Sequence, residues 1–210
     1  MKEKLLLPLF ILLSTSLFGQ YKLKDGFTLD DPILTDSTST VMITVRYSEN
    51  ATKVPLFASG YYANILFYDF NENVSEPLFK KDVFIDEFPQ KHDNQYFSRR
   101  SEVNQHLFST SQWLFYFVKD IDINDRRVSH TKVPSVLYVS DRKGKNLKAL
   151  TSSNEHAVKI NIFEDQGFAL IKMLRDQNGD GKYDRNDMDY YYLRLDIKTL
   201  ELQPAVHVVY

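Results

Sequence analysis

Two hydrophobic segments joined by an acidic loop occur twice in the second half of this chain, in an alignment that places Asp120 on Asp176. A third copy lies upstream of these two, where Asp69 corresponds to Asp141, but its loop has lost the acidic residues. The segments are rich in Phe, Tyr and Val, which favour strands. A recurring unit of strand, loop and strand predicts an all-β chain of antiparallel sheets.

A turn and a short third strand follow the second strand of every copy. In residues 137–151 the strand ends in Asp141, the turn contains Gly144, and a Leu-Thr pair closes the unit. This stretch resembles the blade repeat of TolB-type β-propellers, in which a strand ends in Asp, a hairpin carries Gly, and Leu-Thr ends the blade. The resemblance implies three imperfect propeller-blade-like repeats, near residues 41–79, 113–151 and 158–203. Independent hairpins that obey the same turn rules are the alternative explanation.

The number of repeats limits the architecture. A complete propeller has about 4–8 blades of four strands, so three units predict an open or incomplete propeller, with a β-sandwich as the alternative. The length of 210 residues fits one domain. Residues 80–112 match no clear pattern beyond a short strand-like run at 82–85.

The N-terminal segment over residues 1–19 has the pattern of a signal peptide. Lys2 and Lys4 precede an apolar run over residues 5–13. Leu17 and Gly19 then occupy the −3 and −1 positions of a cleavage site before Gln20. The run is shorter than the roughly 20 residues that span a bilayer, although an uncleaved anchor is the alternative. The pattern predicts a secreted or periplasmic bacterial protein, whose mature part is a single β domain over residues 20–210 with no membrane span.

The charge balance and the absence of cysteine narrow the function further. Lys and Arg number 26 against 28 Asp and Glu, and such a near-neutral chain offers no basic surface for nucleic acid. The partner is therefore expected to be a protein or a glycan of unknown identity. Without Cys an exported domain has no disulfides, which leaves metal binding as one way to stabilise it.

The segment over residues 176–187 reads Asp-Gln-Asn-Gly-Asp-Gly-Lys-Tyr-Asp-Arg-Asn-Asp. Oxygen-bearing side chains at positions 1, 3, 5, 9 and 12, with Gly at position 6, match the spacing of an EF-hand calcium loop. The loop also resembles that of dockerin modules, which carry Asp at the last position. The spacing predicts calcium as the cofactor, held by the side chains or, at position 7, the backbone carbonyl of these residues: Asp176, Asn178, Asp180, Lys182, Asp184 and Asp187.

The surroundings of this loop predict its role. The flanking segments indicate strands rather than the helices of an EF-hand, so calcium is expected to order a long connection between two strands. Magnesium would keep several waters, and zinc prefers Cys and His. A solvated acidic turn is the alternative interpretation. The related loop over residues 120–131 keeps oxygens at positions 1, 3 and 5 but has Asp125 in place of Gly, which indicates a degraded site.

No enzyme signature stands out in the sequence. The five histidines form no zinc-hydrolase motif, and neither a Gly-x-Ser-x-Gly elbow nor a phosphate loop occurs. Alternating aromatic residues at 113, 115 and 117, and at 190 and 192, are expected to pack in the core. We therefore expect an exported calcium-binding binding or structural module. A small cell-envelope hydrolase acting on glycans or peptides through Asp or Glu is the alternative.

Overall fold

The computed structural model describes residues 23, 25–35, 38–48, 61–87, 112–121, 132–184, 186–187 and 189–206. They form thirteen strands, paired antiparallel throughout, and one short 3-10 turn. The prediction of an all-β chain with antiparallel sheets is thus confirmed. In this described part no helix is long and apolar enough to cross a membrane. The predicted signal peptide and residues 122–131 of the second acidic loop lie outside it.

The first group of strands is centred on two long ones. It comprises β1 (Phe27–Leu29), β2 (Ile33–Leu34), β3 (Thr40–Tyr47), β4 (Tyr62–Asp69) and β5 (Val74–Pro77). Both β1 and β2 pair with β3, which pairs with β4, and β5 forms the far edge on β4. Asp69 ends β4, and its Oδ1 accepts a hydrogen bond from the backbone N–H of Asn71 at 2.9 Å, which starts the turn into β5.

The second and third groups are four-stranded meanders in chain order. One comprises β6 (Phe84–Glu87), β7 (Trp113–Lys119), β8 (Val136–Asp141) and β9 (Lys148–Ala149). The other comprises β10 (His156–Phe163), β11 (Phe168–Leu174), β12 (Tyr190–Asp196) and β13 (Leu202–Val206). A 3-10 turn at Glu164–Gln166 joins β10 to β11. The first two groups form one nine-stranded sheet because β6 also pairs with β4, at Tyr62 and Ile85, and the third is separate.

The central strand β7 is buried on both faces, which explains its unbroken apolar sequence. Phe115 and Phe117 pack with Ile171 and Met173 of the C-terminal sheet. The opposite face of β7 packs with the core side chains of β3, β4 and β6. The expectation that the aromatic residues at 113, 115 and 117 lie in the core is confirmed, and the Trp113 indole N–H also donates a hydrogen bond of 2.8 Å to the carbonyl of Ile197.

The predicted repeats, near residues 41–79, 113–151 and 158–203, overlap the three groups of strands in sequence. In every group the strand before the last one ends in an aspartate whose Oδ1 accepts backbone N–H groups of the following turn, and these residues are Asp69, Asp141 and Asp196. None of the sheets closes on itself. A blade-like repeat is not confirmed by this arrangement, and a β-sandwich is equally compatible with it.

Candidate metal centre

The acidic loop over residues 176–187 closes the end of the hairpin formed by β11 and β12. The ladder between these strands ends at the pair Leu174 and Tyr190. Beyond it, the Arg175 backbone N–H donates a hydrogen bond of 3.1 Å to the carbonyl of Asp189. Their side chains form an ion pair at 3.5 Å. The expectation that this loop joins two strands is therefore confirmed.

Asp176 organises the first half of the loop. Its Oδ1 accepts hydrogen bonds from the backbone N–H groups of Gly179 at 2.8 Å and Asp180 at 3.2 Å. Its Oδ2 accepts one from Gly181 at 2.8 Å. Gly181 has a φ of 72°, in the left-handed region that residues with a Cβ rarely adopt. The glycine at the sixth position thus allows the backbone to curl around the first carboxylate.

Three short side-chain turns continue this curl. The side-chain Oδ1 of Asn178 accepts the N–H of Asp180 at 2.8 Å, and Oδ1 of Asp180 accepts the N–H of Lys182 at 2.9 Å. Oδ1 of Asp184 accepts the N–H of Asn186 at 2.8 Å. Each is a turn in which the side chain replaces a backbone acceptor. The alternating oxygen-bearing residues of the sequence motif therefore shape the backbone directly.

Asp187 closes the loop and is fully buried, with 0% of its surface exposed. Its Oδ1 accepts the N–H of Gln177 at 3.0 Å, and its Oδ2 accepts the N–H of Asp184 at 3.2 Å. Among the described residues, no basic side chain lies within salt-bridge distance of it. A buried carboxylate with no cation beside it is costly to a fold.

The carboxylates of Asp176, Asp180 and Asp187 converge. One oxygen from each lies within 4.8 Å of the others. Two oxygens bound to one calcium ion at about 2.3–2.6 Å can be at most about 5.2 Å apart. The observed spacing therefore fits oxygens that share a single calcium ion.

The charge around this cluster is strongly negative, and one lysine offsets it in part. The Lys182 ammonium donates a hydrogen bond to Oδ2 of Asp180 at 3.1 Å, which lowers the pKa of Asp180 and raises that of Lys182. Burial raises the pKa of the Tyr183 hydroxyl most, and the negative charges of Asp176 and two further carboxylates raise it further. The negative charge of the loop thus acts on the ionisable side chains beside the cluster.

Two aromatic side chains attach the loop to the preceding connection between β9 and β10. The Tyr183 hydroxyl donates a hydrogen bond of 3.0 Å to the carbonyl of Asn154, and its ring stacks on His156 with centroids 5.3 Å apart. His156 accepts the backbone N–H of Ser135 through Nδ1 at 2.9 Å. Burial, aided by the charge of Lys119, lowers the pKa of His156 to about 4, so this imidazole is neutral at pH 7.

Sequence reasoning found the acidic residues but missed these two anchors. The structure brings Asp176, Asp180 and Asp187 together, and Asp184 is not part of that cluster. Asn178 and Lys182 make hydrogen bonds within the loop, and their metal-ligating roles stay predictions. Tyr183 lies inside the motif, but no periodicity links it to His156, because the contact joins the loop to the first residue of another strand, β10.

A small cavity lies between the first two groups of strands. It is lined by the turns at 69–76 and 143–145. Its charged groups are paired across the junction: the Lys143 ammonium lies 3.6 Å from the carboxylate of Asp69, and Lys145 pairs with Glu76. These ion pairs link the turn after β8 to the hairpin of β4 and β5.

Comparison of the sequence with models of known protein families and with curated proteins finds no match.

Proposed function

We propose that this chain is an exported calcium-binding β-repeat protein, and that it acts as a binding or structural module in which calcium orders the loop between β11 and β12. One observation carries the proposal. The oxygens of Asp176, Asp180 and the fully buried Asp187 lie within 4.8 Å of one another.

Charge balance favours a bound divalent cation. Three carboxylates at this spacing repel each other, and within the described residues the Lys182 ammonium forms its ion pair with Asp180 alone. A divalent cation between them converts the repulsion into attraction and compensates the burial of Asp187. Calcium suits the site because it takes six to eight oxygens in flexible geometry. The set of Asp and Asn side chains supplies the hard oxygens it prefers.

The same proposal includes the architecture: the three groups of strands are stacked blades of an open propeller. Two observations support this. The hydrogen bond from Leu78 N to Ile65 O recurs at the equivalent place in the next group, from Leu150 N to Leu137 O, both at 2.7 Å. In addition, β7 packs one face on the preceding group and its other face on the following group. Face-to-face stacking of successive meanders is typical of propellers.

Calcium titration of the mature chain, residues 20–210, tests the proposal directly. Isothermal titration is expected to give one binding event at or below millimolar calcium. At a calcium concentration of about 100 times Kd, binding stabilises the fold by about 2.7 kcal/mol. The melting temperature is therefore expected to rise in calcium relative to chelator. A titration without heat, together with an unchanged melting temperature, overturns the proposal.

Two substitutions localise the site. Asp176→Ala and Asp180→Ala are expected to lower the melting temperature in calcium but not in chelator. Asp165→Ala, in the exposed 3-10 turn, is the matched control and is expected to leave the calcium response unchanged. Equal losses in calcium and in chelator at Asp176 and Asp180 would show a purely structural role.

A further inference from the structure

The C-terminal sheet has one face in the core and one face toward solvent. Ile171, Met173 and Leu195 face the core. The cross-strand register places alternate residues on the opposite side. We call this side the outer face, and define it by six side chains: Lys159, Phe163, Lys172, Tyr190, Tyr192 and Arg194.

The outer face carries three positive charges, and Asp196 at the end of β12 adds one carboxylate on the same side. Lys159 and Lys172 lie directly opposite each other on β10 and β11, and Arg194 lies on the next strand, β12. In the described part of the chain, none of the three has a carboxylate within salt-bridge distance. Like charges directly opposite on neighbouring strands destabilise a sheet, so this pair serves no evident stabilising purpose.

Aromatic rings hold two of these cations in place. The Lys172 ammonium lies 3.8 Å from the ring centroid of Tyr190, and the Arg194 guanidinium lies 4.6 Å from that of Phe168. Such cation–π contacts restrict long side chains that would otherwise move freely. Binding to an ordered side chain loses less entropy. The cations are thus preorganised for an anionic ligand.

Exposed rings flank the charges. Tyr190 is 41% exposed and Phe163 is 39% exposed. Phe163 stacks on Phe168 with centroids 5.0 Å apart, so the two rings form a small apolar platform beside Arg194. A ligand that matches this face therefore combines anionic groups with flat apolar surfaces.

We propose that the outer face binds an acidic polysaccharide, a chain of sugars that carry carboxylates. Its carboxylates pair with Lys159, Lys172 and Arg194, which lie on adjacent strands about 4.8 Å apart. The apolar C–H faces of its sugar rings stack on Tyr190 and Phe163. The proposal rests on the proposed binding role and names its ligand class, but it does not depend on calcium.

An acidic polypeptide fits this face less well. A sheet recognises an extended peptide mainly through the free backbone groups of an edge strand. Lys172, Tyr190, Tyr192 and Arg194 lie on β11 and β12, whose backbone groups pair within the sheet on both sides, so this part of the outer face presents side chains only. Of the strands that carry the outer face, a polypeptide could pair only with the edge strand β10. A polysaccharide needs no backbone partner, and the face offers the side-chain charges and rings that it uses.

Isothermal titration with polygalacturonate at low ionic strength tests the proposal. The titration is made in chelator, because this ligand itself binds calcium, and a failure of the calcium site then leaves the result intact. Saturable binding is expected, and it should weaken as salt is added. The fully methyl-esterified polymer keeps the sugar chain but loses the charge, and is expected not to bind.

The double substitution Lys172→Gln with Arg194→Gln is expected to weaken binding at least tenfold. Lys148→Gln, at an exposed lysine on β9, is the matched control and is expected to bind as the natural chain does. Lys159→Gln removes a charge that contacts no ring, and it provides a second variant if the double variant has a lower melting temperature.

Four outcomes overturn the proposal. One is the absence of binding to polygalacturonate by the natural chain. The second is equal binding of the esterified polymer, and the third is an equal loss of binding in the Lys148→Gln control. The last is tighter binding of poly-glutamate than of polygalacturonate, which would assign the face to an acidic polypeptide.

Discussion

In both the turn after β8 and the loop after β11, an aspartate side chain accepts backbone N–H groups, but the two segments differ in how many carboxylates come together. In the turn, Oδ1 of Asp141 accepts the N–H groups of Lys143 at 2.9 Å and Lys145 at 2.8 Å. In the loop, Asp176 accepts three N–H groups in the same manner. The difference is convergence: only the loop brings two further carboxylates to the first. A single aspartate that caps a turn is thus ordinary, whereas three carboxylates that meet at one point form a group that can hold a cation.

The two segments also attach differently to the body of the protein. In the turn, Gly144 lies directly against the Phe67 ring, so that a Cβ at this position would lie 2.3 Å from the Phe67 side chain. The loop instead places the Tyr183 ring on His156. The first contact leaves no space for a side chain. The second is made by an imidazole whose Nδ1 must be unprotonated to accept the Ser135 N–H.

The largest expected effect is that of Gly144→Ala on the turn. The residue has a φ of 74°, which costs about 1–2 kcal/mol for a residue with a Cβ. The clash with Phe67 adds about 1–3 kcal/mol. Urea unfolding should therefore show a loss of about 2–5 kcal/mol, in calcium and in chelator alike.

Gly167→Ala is the control for this substitution. Its φ is 72°, but a Cβ there would meet no atom within 4 Å, so only the conformational cost should appear. If both substitutions lower the free energy of unfolding equally, the close contact between Gly144 and Phe67 does not contribute to the effect of Gly144→Ala.

The attachment of the loop is expected to depend on pH. The pKa of His156 falls from about 6.5 in the unfolded chain to about 4 in the fold, so the folded state binds fewer protons between these values. The contribution of His156 is complete above pH 6.5 and is lost as the pH falls to about 4. Its size is at most about 3 kcal/mol.

His156→Asn isolates this contribution, since the amide oxygen can accept the Ser135 N–H in place of Nδ1. Unfolding free energies at pH 7.5 and pH 4.5 should differ less in the variant than in the natural chain. The same pH dependence in both chains would show that carboxylates alone are responsible.

Asp187→Asn is expected to remove the calcium response of the loop. The amide is nearly isosteric but uncharged, so at about 100 times Kd the variant should lose the stabilisation of about 2.7 kcal/mol that calcium gives. Differential scanning fluorimetry should show a lower melting temperature in calcium and a smaller change in chelator. A calcium-induced rise that survives in Asp187→Asn would count against convergence on one ion.

The smallest expected effect is that of Asp141→Ala on the turn. The substitution removes the acceptor of three exposed hydrogen bonds, from the backbone N–H groups of Lys143 and Lys145 and from the Asn146 amide. Because they are exposed to water, the expected loss of stability is about 1 kcal/mol. Calcium should not alter this loss, because no calcium site is proposed there. A loss that changes with calcium would show that the turn and the loop are coupled.

The strands and the acidic loop could be predicted from sequence because both are local patterns. Apolar runs predicted β3, β4, β7, β8 and β12, and the spacing of Asp and Asn identified the loop. The short strands β1 and β2 were not predicted, because segments of three and two residues are too short to show an alternation of apolar and polar residues. The contacts of Tyr183 join distant segments, and no local pattern contains them.

The prediction of which tyrosines of β12 face the core was wrong, and the error has a physical reason. Tyr190 and Tyr192 were expected in the core, but the structure buries Tyr191 instead and leaves Tyr190 exposed. Three consecutive tyrosines have no alternation, and a one-residue change in register exchanges the faces of a strand. The predicted repeat carries the same ambiguity. Trp113 pairs with Asp141 and Phe168 pairs with Asp196, which gives a spacing one residue shorter than the alignment inferred from the loops.

The single backbone pair between Tyr62 and Ile85 has a consequence for how such a chain can evolve. Because so little of the hydrogen-bonded ladder crosses from one group to the next, duplication of a whole group would break almost no existing ladder. Only the side chains on the new boundary would need to adapt. On the proposed repeat architecture, the length of the protein is therefore open to change by gain or loss of entire groups of strands.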